Sequence, residues 1–324
     1  MNSSASPILF AALLLLFTPG CLDLDGFVHN PRHCSDIGAQ TCEDVENPFN
    51  RFCTPCDMDY DWTIEPPWPD GFFAEGESLR PITDIEPITL ETEDGLGTLD
   101  MYWIPSHGEQ AEIAELTIVY QHGNFGSIEH FVPRMQLLYE LGYNVLIWDY
   151  RGYGKSTPST APLTEDFLAD ARQVLNFTFE KAPDPSRVLV YGMSLGAVPS
   201  LEMVLHQPPC ALILEAAFTS IQEISDTNIG VALPGGFVTQ GYFENVDRIR
   251  GYEGPLMVLH GIEDNLFPPE SIQNLYDNAP GPKVLHLIEG ARHGLGDGVP
   301  ETTGFRTYGQ FLTDFLQAEA TACL

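Results

Sequence analysis

From about position 88 onward the apolar residues fall into two alternating patterns, and the alternation sets the expected architecture. The segments 117–121, 145–148, 187–191, 211–214, 256–260 and 284–288 are short, nearly continuous apolar runs, the signature of strands buried on both faces. Helical spacing lies between several of them. After Thr164 and Asp166, apolar residues recur three and four apart as Phe167, Ala171, Val174 and Leu175. A second, largely apolar helix begins at Leu195 and carries Val198, Leu201, Met203 and Leu205. A third runs from about 303 to 318, with Phe305, Tyr308, Phe311, Leu312 and Phe315 on one side. Strands alternating with helices predict an α/β fold whose mostly parallel central sheet is covered by helices on both faces. The stretch between 214 and 256 is too long for a simple connection and holds Phe218, Phe237, Tyr242, Phe243 and Tyr252. It is expected to form a small lid over a pocket, about 216–254.

The N-terminal pattern is different. Positions 8–17 are an unbroken apolar run followed by Thr18, Pro19, Gly20 and Cys21. Ten residues cannot span a bilayer, which needs about 20, but they suit the apolar segment of a secretory signal. The stretch resembles a bacterial lipoprotein signal. That resemblance implies removal of residues 1–20, lipidation of Cys21 and attachment to an envelope membrane; without lipidation the protein would be periplasmic or secreted. Seven cysteines less Cys21 leave six, an even number that fits an oxidising compartment. Cys34, Cys42, Cys53 and Cys56 lie close together in an acidic, proline-rich arm, 21–87, which can bury little core. Two disulfides there would supply order that packing does not, and the sequence leaves all three pairings open. Cys53 and Cys56 also form a C-x-x-C pair, yet no strand precedes it and no helical pattern follows, which favours disulfides over a zinc or redox site. Cys210 and Cys323 would be a third bridge or buried thiols. Seven prolines between 47 and 87 exclude a continuous helix, so the arm should lie extended against the main domain, 88–324.

Charge narrows the partners. The 324 residues hold 14 Lys+Arg against 46 Asp+Glu, a formal charge of −32, which argues against nucleic acid. With 44% hydrophobic and 19% charged residues the chain can still build a substantial core.

The candidate chemistry begins where the 187–191 run meets the Leu195 helix, at Gly192-Met193-Ser194-Leu195-Gly196. In a strand–turn–helix setting, G-x-S-x-G makes a tight turn that lifts the serine hydroxyl out of the sheet and faces it with a helix N-terminus. Serine needs a base to take its proton, and the base needs an orienting acid. Asp264 follows the 256–260 run and His293 follows the 284–288 run, so both should reach the same sheet edge as Ser194. The order Ser, Asp, His is the one this topology uses. Together with Gln121-His122-Gly123-Asn124-Phe125-Gly126 and Asp149-Tyr150-Arg151-Gly152-Tyr153-Gly154-Lys155-Ser156, these stretches resemble a serine hydrolase of the α/β-hydrolase superfamily, near its small-lidded depalmitoylase-like branch. The likeness covers roughly residues 88 to 320. It implies an α/β-hydrolase fold, an esterase- or thioesterase-like activity on acylated substrates without metal or organic cofactor, and an oxyanion hole. The hole would use the backbone N–H of Leu195 and of Asn124 or Phe125. Glu215 is an alternative acid, Asp149 is expected to tie down its loop, and His122 and His260 read as structural histidines. A peptidase or amidase using the same triad, or a catalytically silent surface-binding lipoprotein, are the alternative functions.

Overall fold

The computed structural model describes residues 29, 31–36, 54–64, 68–109, 113–220, 223 and 243–324. Eight strands form one sheet: β1 Glu86–Glu91, β2 Thr98–Ile104, β3 Thr117–Gln121, β4 Asn144–Trp148, β5 Val188–Met193, β6 Ala211–Glu215, β7 Leu256–Gly261 and β8 Lys283–Ile288. Their order is β1-β2-β4-β3-β5-β6-β7-β8. The six strands from β4 to β8 run parallel, while β1 and β2 are antiparallel additions at one edge. This is the α/β-hydrolase fold.

Every residue of β3, β4, β5, β6 and β7 is buried, which is why those strands read as continuous apolar runs. Alternate side chains serve two cores. Val119, Leu146, Val190, Leu212 and Val258 pack with α2 Thr164–Lys181, α3 Ala197–His206 and α5 Pro269–Asn278. Ile118, Val145, Leu189, Ile213 and Met257 pack with α1 Ile128–Glu140 and α7 Phe305–Ala318. Between these lie the short helices α4 Asn245–Ile249 and α6 Val299–Thr303.

The structure differs from the sequence reading at two helices and one edge. The helix expected at about 303–318 is α7, which starts at Phe305, because Gly304 takes φ 79° and separates it from an unexpected short helix that ends at Thr303. Helix formation after the serine is delayed by one 3₁₀ turn, Ser194–Gly196. β1 begins at Glu86 and includes Pro87, which an edge strand tolerates because one side of its backbone is unpaired.

Tyr60, Trp62 and Ile82 of the arm join the α1–α7 core. Cys34 is bonded to Cys56, so the C-x-x-C cysteines are not partners of each other, and Cys210 is bonded to Cys323. Cys21, Cys42 and Cys53 lie outside the described residues, as does the whole signal-like segment. Most of the expected lid does too, but its two ends meet. Val246 N–H donates to Thr219 O at 3.2 Å, Asn245 Nδ2 donates to Phe218 O at 3.0 Å, and Phe218 and Phe243 are both buried. Among the described residues no helix is long and apolar enough to cross a membrane.

Candidate active site

Ser194 stands immediately beyond β5, at the C-terminal edge of the parallel strands where ligands of open α/β sheets are bound. Its φ is 52°, a left-handed conformation that side chains rarely adopt, so the turn is strained and is held by its surroundings. The flanking glycines show how tightly. A Cβ on Gly192 would stand 2.3 Å from Ser200 Oγ, and one on Gly196 would stand 2.2 Å from the Gln121 carbonyl oxygen. No side chain fits at either position.

Asp264 sits three residues beyond β7 and His293 five beyond β8. Their loops are tied together: Ile262 N–H donates to Ile288 O at 2.9 Å, and Glu263 N–H to Ala291 O at 3.0 Å. The structure brings the three residues into one line. His293 Nε2 is 2.9 Å from Ser194 Oγ, and His293 Nδ1 is 2.8 Å from Asp264 Oδ2. The other carboxylate oxygen accepts the backbone N–H of Leu266 at 2.8 Å and of Phe267 at 2.9 Å. Burial pushes the Asp264 pKa up, but the hydrogen bond and charge of His293 and the two backbone donors outweigh it and hold the carboxyl below its ordinary value. An ionised Asp264 fixes the proton on Nδ1, which leaves Nε2 free to accept the serine proton. The Phe267 ring stands edge-on to the imidazole at 5.1 Å, and the His293 side chain keeps 12% exposure on the open side.

Leu195 follows the serine in the 3₁₀ turn, with its side chain buried. Opposite it, the loop after β3 approaches Ser194 at Gly123, where a Cβ would lie 3.6 Å from Ser194 Cβ. Asn124 directly follows Gly123; Phe125 is one residue farther along, with 43% of its surface exposed. Tyr153 Oη donates to Asn124 Oδ1 at 2.6 Å, a contact between two of the quoted stretches that sequence reasoning did not foresee.

Glu215, Asp149 and His122 are employed elsewhere, while His260 Nε2 also lies 3.7 Å from Asp264 Oδ2. Glu215 accepts from Arg134 Nη1 at 2.9 Å and from Tyr191 Oη. Arg134 Nη2 also donates to Glu301 at 3.0 Å, so a buried three-charge network lies in the α1–α6 layer. Its link to the site is Gly298: a Cβ there would stand 3.2 Å from Arg134 Nη2 and 2.4 Å from Gly294 O, beside His293. Asp149 accepts the Ile128 N–H at the start of α1 at 2.9 Å and the Tyr60 hydroxyl at 3.1 Å, and so ties its loop to the helix and the arm. His122 reaches Gly123 O at 2.7 Å, and His260 Nε2 reaches Phe267 O at 3.0 Å; both are fully buried, and burial lowers the His260 pKa.

The family described as Serine aminopeptidase, S33 matches residues 113–234. The uncharacterized protein YfhR of Escherichia coli K12 is 31% identical over 217 residues, which are 64% of this chain and 73% of YfhR. Protein bem46 of Schizosaccharomyces pombe is 31% identical over 244 residues, 72% of this chain and 77% of bem46. The chain belongs to the α/β-hydrolase family that includes YfhR and bem46. Among solved structures, the Pyrococcus furiosus esterase Pf2001 superposes with a TM-score of 0.57 over 73% of this chain and 92% of that one, at 20% identity, a likeness of fold. The family match spans the described β3–β6 core and the serine turn, while the arm and the Asp264 and His293 loops lie beyond its limits.

Proposed function

We propose that this α/β hydrolase is an exported serine hydrolase that cleaves carboxylic esters or thioesters by acyl transfer. One observation carries the reading: a serine hydroxyl held on a strained turn, hydrogen-bonded to an imidazole that is itself hydrogen-bonded to a buried carboxylate. Ser194 Oγ attacks the acyl carbon and passes its proton to His293 Nε2. Asp264 stabilises the resulting imidazolium. The tetrahedral oxyanion is received by the N–H groups of Leu195 and Asn124, each such donor being worth roughly 3 kcal/mol in an enzyme site. Collapse expels the alcohol or thiol, which takes the proton from His293. Water, deprotonated by His293, then attacks the acyl-enzyme and releases the acid.

The same triad cleaves amides where the pocket holds an amine leaving group, and the serine aminopeptidase description of the matching family favours that second reading. A panel of p-nitrophenyl esters and aminoacyl p-nitroanilides separates the two. Turnover of esters with negligible turnover of anilides is expected; the opposite order would make the protein a peptidase.

Export is supported by the signal-like segment 8–17 and by two disulfides in the folded domain and arm. Lipidation of Cys21 would tether the enzyme to an envelope membrane, within reach of acylated substrates there. The mass of the mature N-terminal peptide tests this, with an acylated Cys21 as the expected terminus and an unmodified, uncleaved Met1 as the refutation.

A further inference from the structure

The arm holds the loop that faces the serine at several points. Pro31 bridges Gly126 in a parallel pairing, and His33 bridges Gly154. Gly154 N–H donates to Arg32 O at 2.8 Å, and Cys34 N–H donates back to Gly154 O at 2.7 Å. Arg32 stacks its guanidinium over the Phe125 ring at 4.1 Å. The segment 31–34 is thus a short added strand lying across two loops, the one after β3 and the one after β4.

Side chains continue the same grip. Tyr153 donates its hydroxyl hydrogen to Asn124 Oδ1, so its oxygen is left to accept from His29 Nδ1, 3.4 Å away. His29 is buried among Phe167, Phe243 and Tyr153, and burial lowers its pKa to about 3. The ring is therefore neutral at working pH, with its one proton on Nδ1. The second half of the grip lies beyond the disulfide. Cys56 belongs to a segment in which Thr54 donates its N–H and hydroxyl to Glu129 at 3.2 and 2.9 Å, Tyr60 bonds Asp149, and the Trp62 carbonyl accepts from Gln136 at 3.0 Å. Glu129 and Gln136 are on α1, the helix that grows directly out of the Asn124 loop. The Cys34–Cys56 bond joins the strand that crosses the loop to the segment that grips the helix.

We infer that the N-terminal arm is a brace for the oxyanion hole, in which His29 and Tyr153 are positioning residues for Asn124 and the Cys34–Cys56 disulfide locks the brace shut. Backbone donors stabilise an oxyanion only when they are already in place as charge develops, and an error of an ångström in a loop is enough to lose much of the effect. A loop with one glycine on each side of Asn124-Phe125 has little stiffness of its own. The arm supplies stiffness from outside, and the disulfide makes it depend on an oxidising environment. This rests on the serine-hydrolase reading above, in which Asn124 N–H meets the oxyanion.

The test uses the full chain with Tyr153→Phe, His29→Phe and the double substitution Cys34→Ser with Cys56→Ser. Tyr153→Phe keeps the ring and removes the hydroxyl that bonds Asn124 and His29, while His29→Phe keeps a buried aromatic ring, slightly larger, and removes the Nδ1 contact to Tyr153. Steady-state hydrolysis of p-nitrophenyl butyrate and affinity for a trifluoromethyl ketone, which forms a tetrahedral adduct with serine, are measured on each. Tyr153→Phe should lower kcat about 10- to 100-fold, short of the roughly 10²–10³-fold loss for deleting a donor outright. KM should stay within about twofold, and ketone affinity should fall in step with kcat/KM, the signature of an interaction made only in the transition state. His29→Phe and the cysteine pair should show the same split to a lesser degree. Wild-type kcat and ketone affinity in Tyr153→Phe and in the cysteine pair would overturn the brace alone. A wild-type protein inert to the ester and the ketone alike would instead overturn the serine-hydrolase reading, and the brace with it.

Discussion

Ser194→Ala is expected to reduce kcat for a p-nitrophenyl ester by about 10⁴- to 10⁶-fold, with KM changed only a few-fold. His293→Ala should fall as far, and the double variant should be no worse than either single one, because hydroxyl and imidazole act as a unit. The residue left over measures what binding and the oxyanion donors do without a nucleophile. Asp264→Asn is more informative because its geometry dictates how it must fail. In the wild type, Oδ1 takes two backbone N–H groups while Oδ2 faces His293 Nδ1. An asparagine here must turn its carbonyl oxygen to those two donors, which leaves its NH₂ facing Nδ1. The imidazole then accepts at Nδ1 and carries its proton on Nε2, where it cannot receive another from Ser194. A loss of about 10⁴-fold in kcat follows from this tautomer reversal. Glu215→Gln should keep kcat within a few-fold, since Glu215 is bound to Arg134 and Tyr191. Stopped activity in Glu215→Gln with retained activity in Asp264→Asn would reassign the acid.

Arg134→Met is expected to destabilise the fold strongly. The guanidinium is buried on α1 between Glu215 and Glu301, and with it removed two carboxylates share an apolar interior with no counter-charge. Breaking a buried ion pair from one side costs about 3–5 kcal/mol, which for a domain of this size lowers Tm by roughly 10 °C. Thermal unfolding followed by circular dichroism checks this; a Tm within about 2 °C of wild type would contradict it. The network carries two acids against one base, and its surplus has a pH signature. Burial, reinforced by the charge of Glu215, raises the Glu301 pKa against the opposing pull of Arg134. The folded state therefore keeps the Glu301 proton to higher pH than the unfolded chain, where a glutamate releases it near about 4.3. The unfolded state binds fewer protons over that interval, so stability falls as pH rises from the unfolded value through the raised folded one. Glu301→Gln removes this slope. Its Tm should gain on wild type as pH rises, and a constant difference across pH would show that folding leaves the Glu301 pKa unraised.

The parallel core was legible in the sequence because its strands are buried on both faces, and a run such as Val188–Met193 has no polar side to disguise it. The serine turn was legible because two glycines and a serine at fixed spacing answer a steric demand that the structure displays atom by atom. The positions of Asp264 and His293 followed from strand ends alone. β1 and β2 escaped the reading: β1 is half exposed, begins beside a proline and alternates weakly, and no buried run announces it. Helix α1 was hidden for the opposite reason. Glu129, His130, Arg134 and Gln136 are buried on it, so polar letters stand where a helix pattern expects apolar ones, and Pro133 lies inside it. What those polar residues do depends on partners far away in sequence, Thr54, Glu215 and Glu301 among them, which no local window contains. The arm was read as acidic, cross-linked and extended against the main domain, but its hold on the Asn124 loop combines backbone pairing with contacts between residues far apart in sequence, such as Arg32 with Phe125 and His29 with Tyr153.

The account stands on Ser194 being a nucleophile activated by His293, and covalent capture by a fluorophosphonate tests that most directly. Intact-mass and peptide analysis of the native protein should find one added phosphonyl group, on Ser194, formed far more slowly in His293→Ala and absent from Ser194→Ala. Native protein that stays unlabelled, or labelling of equal extent in wild type and Ser194→Ala, would contradict it.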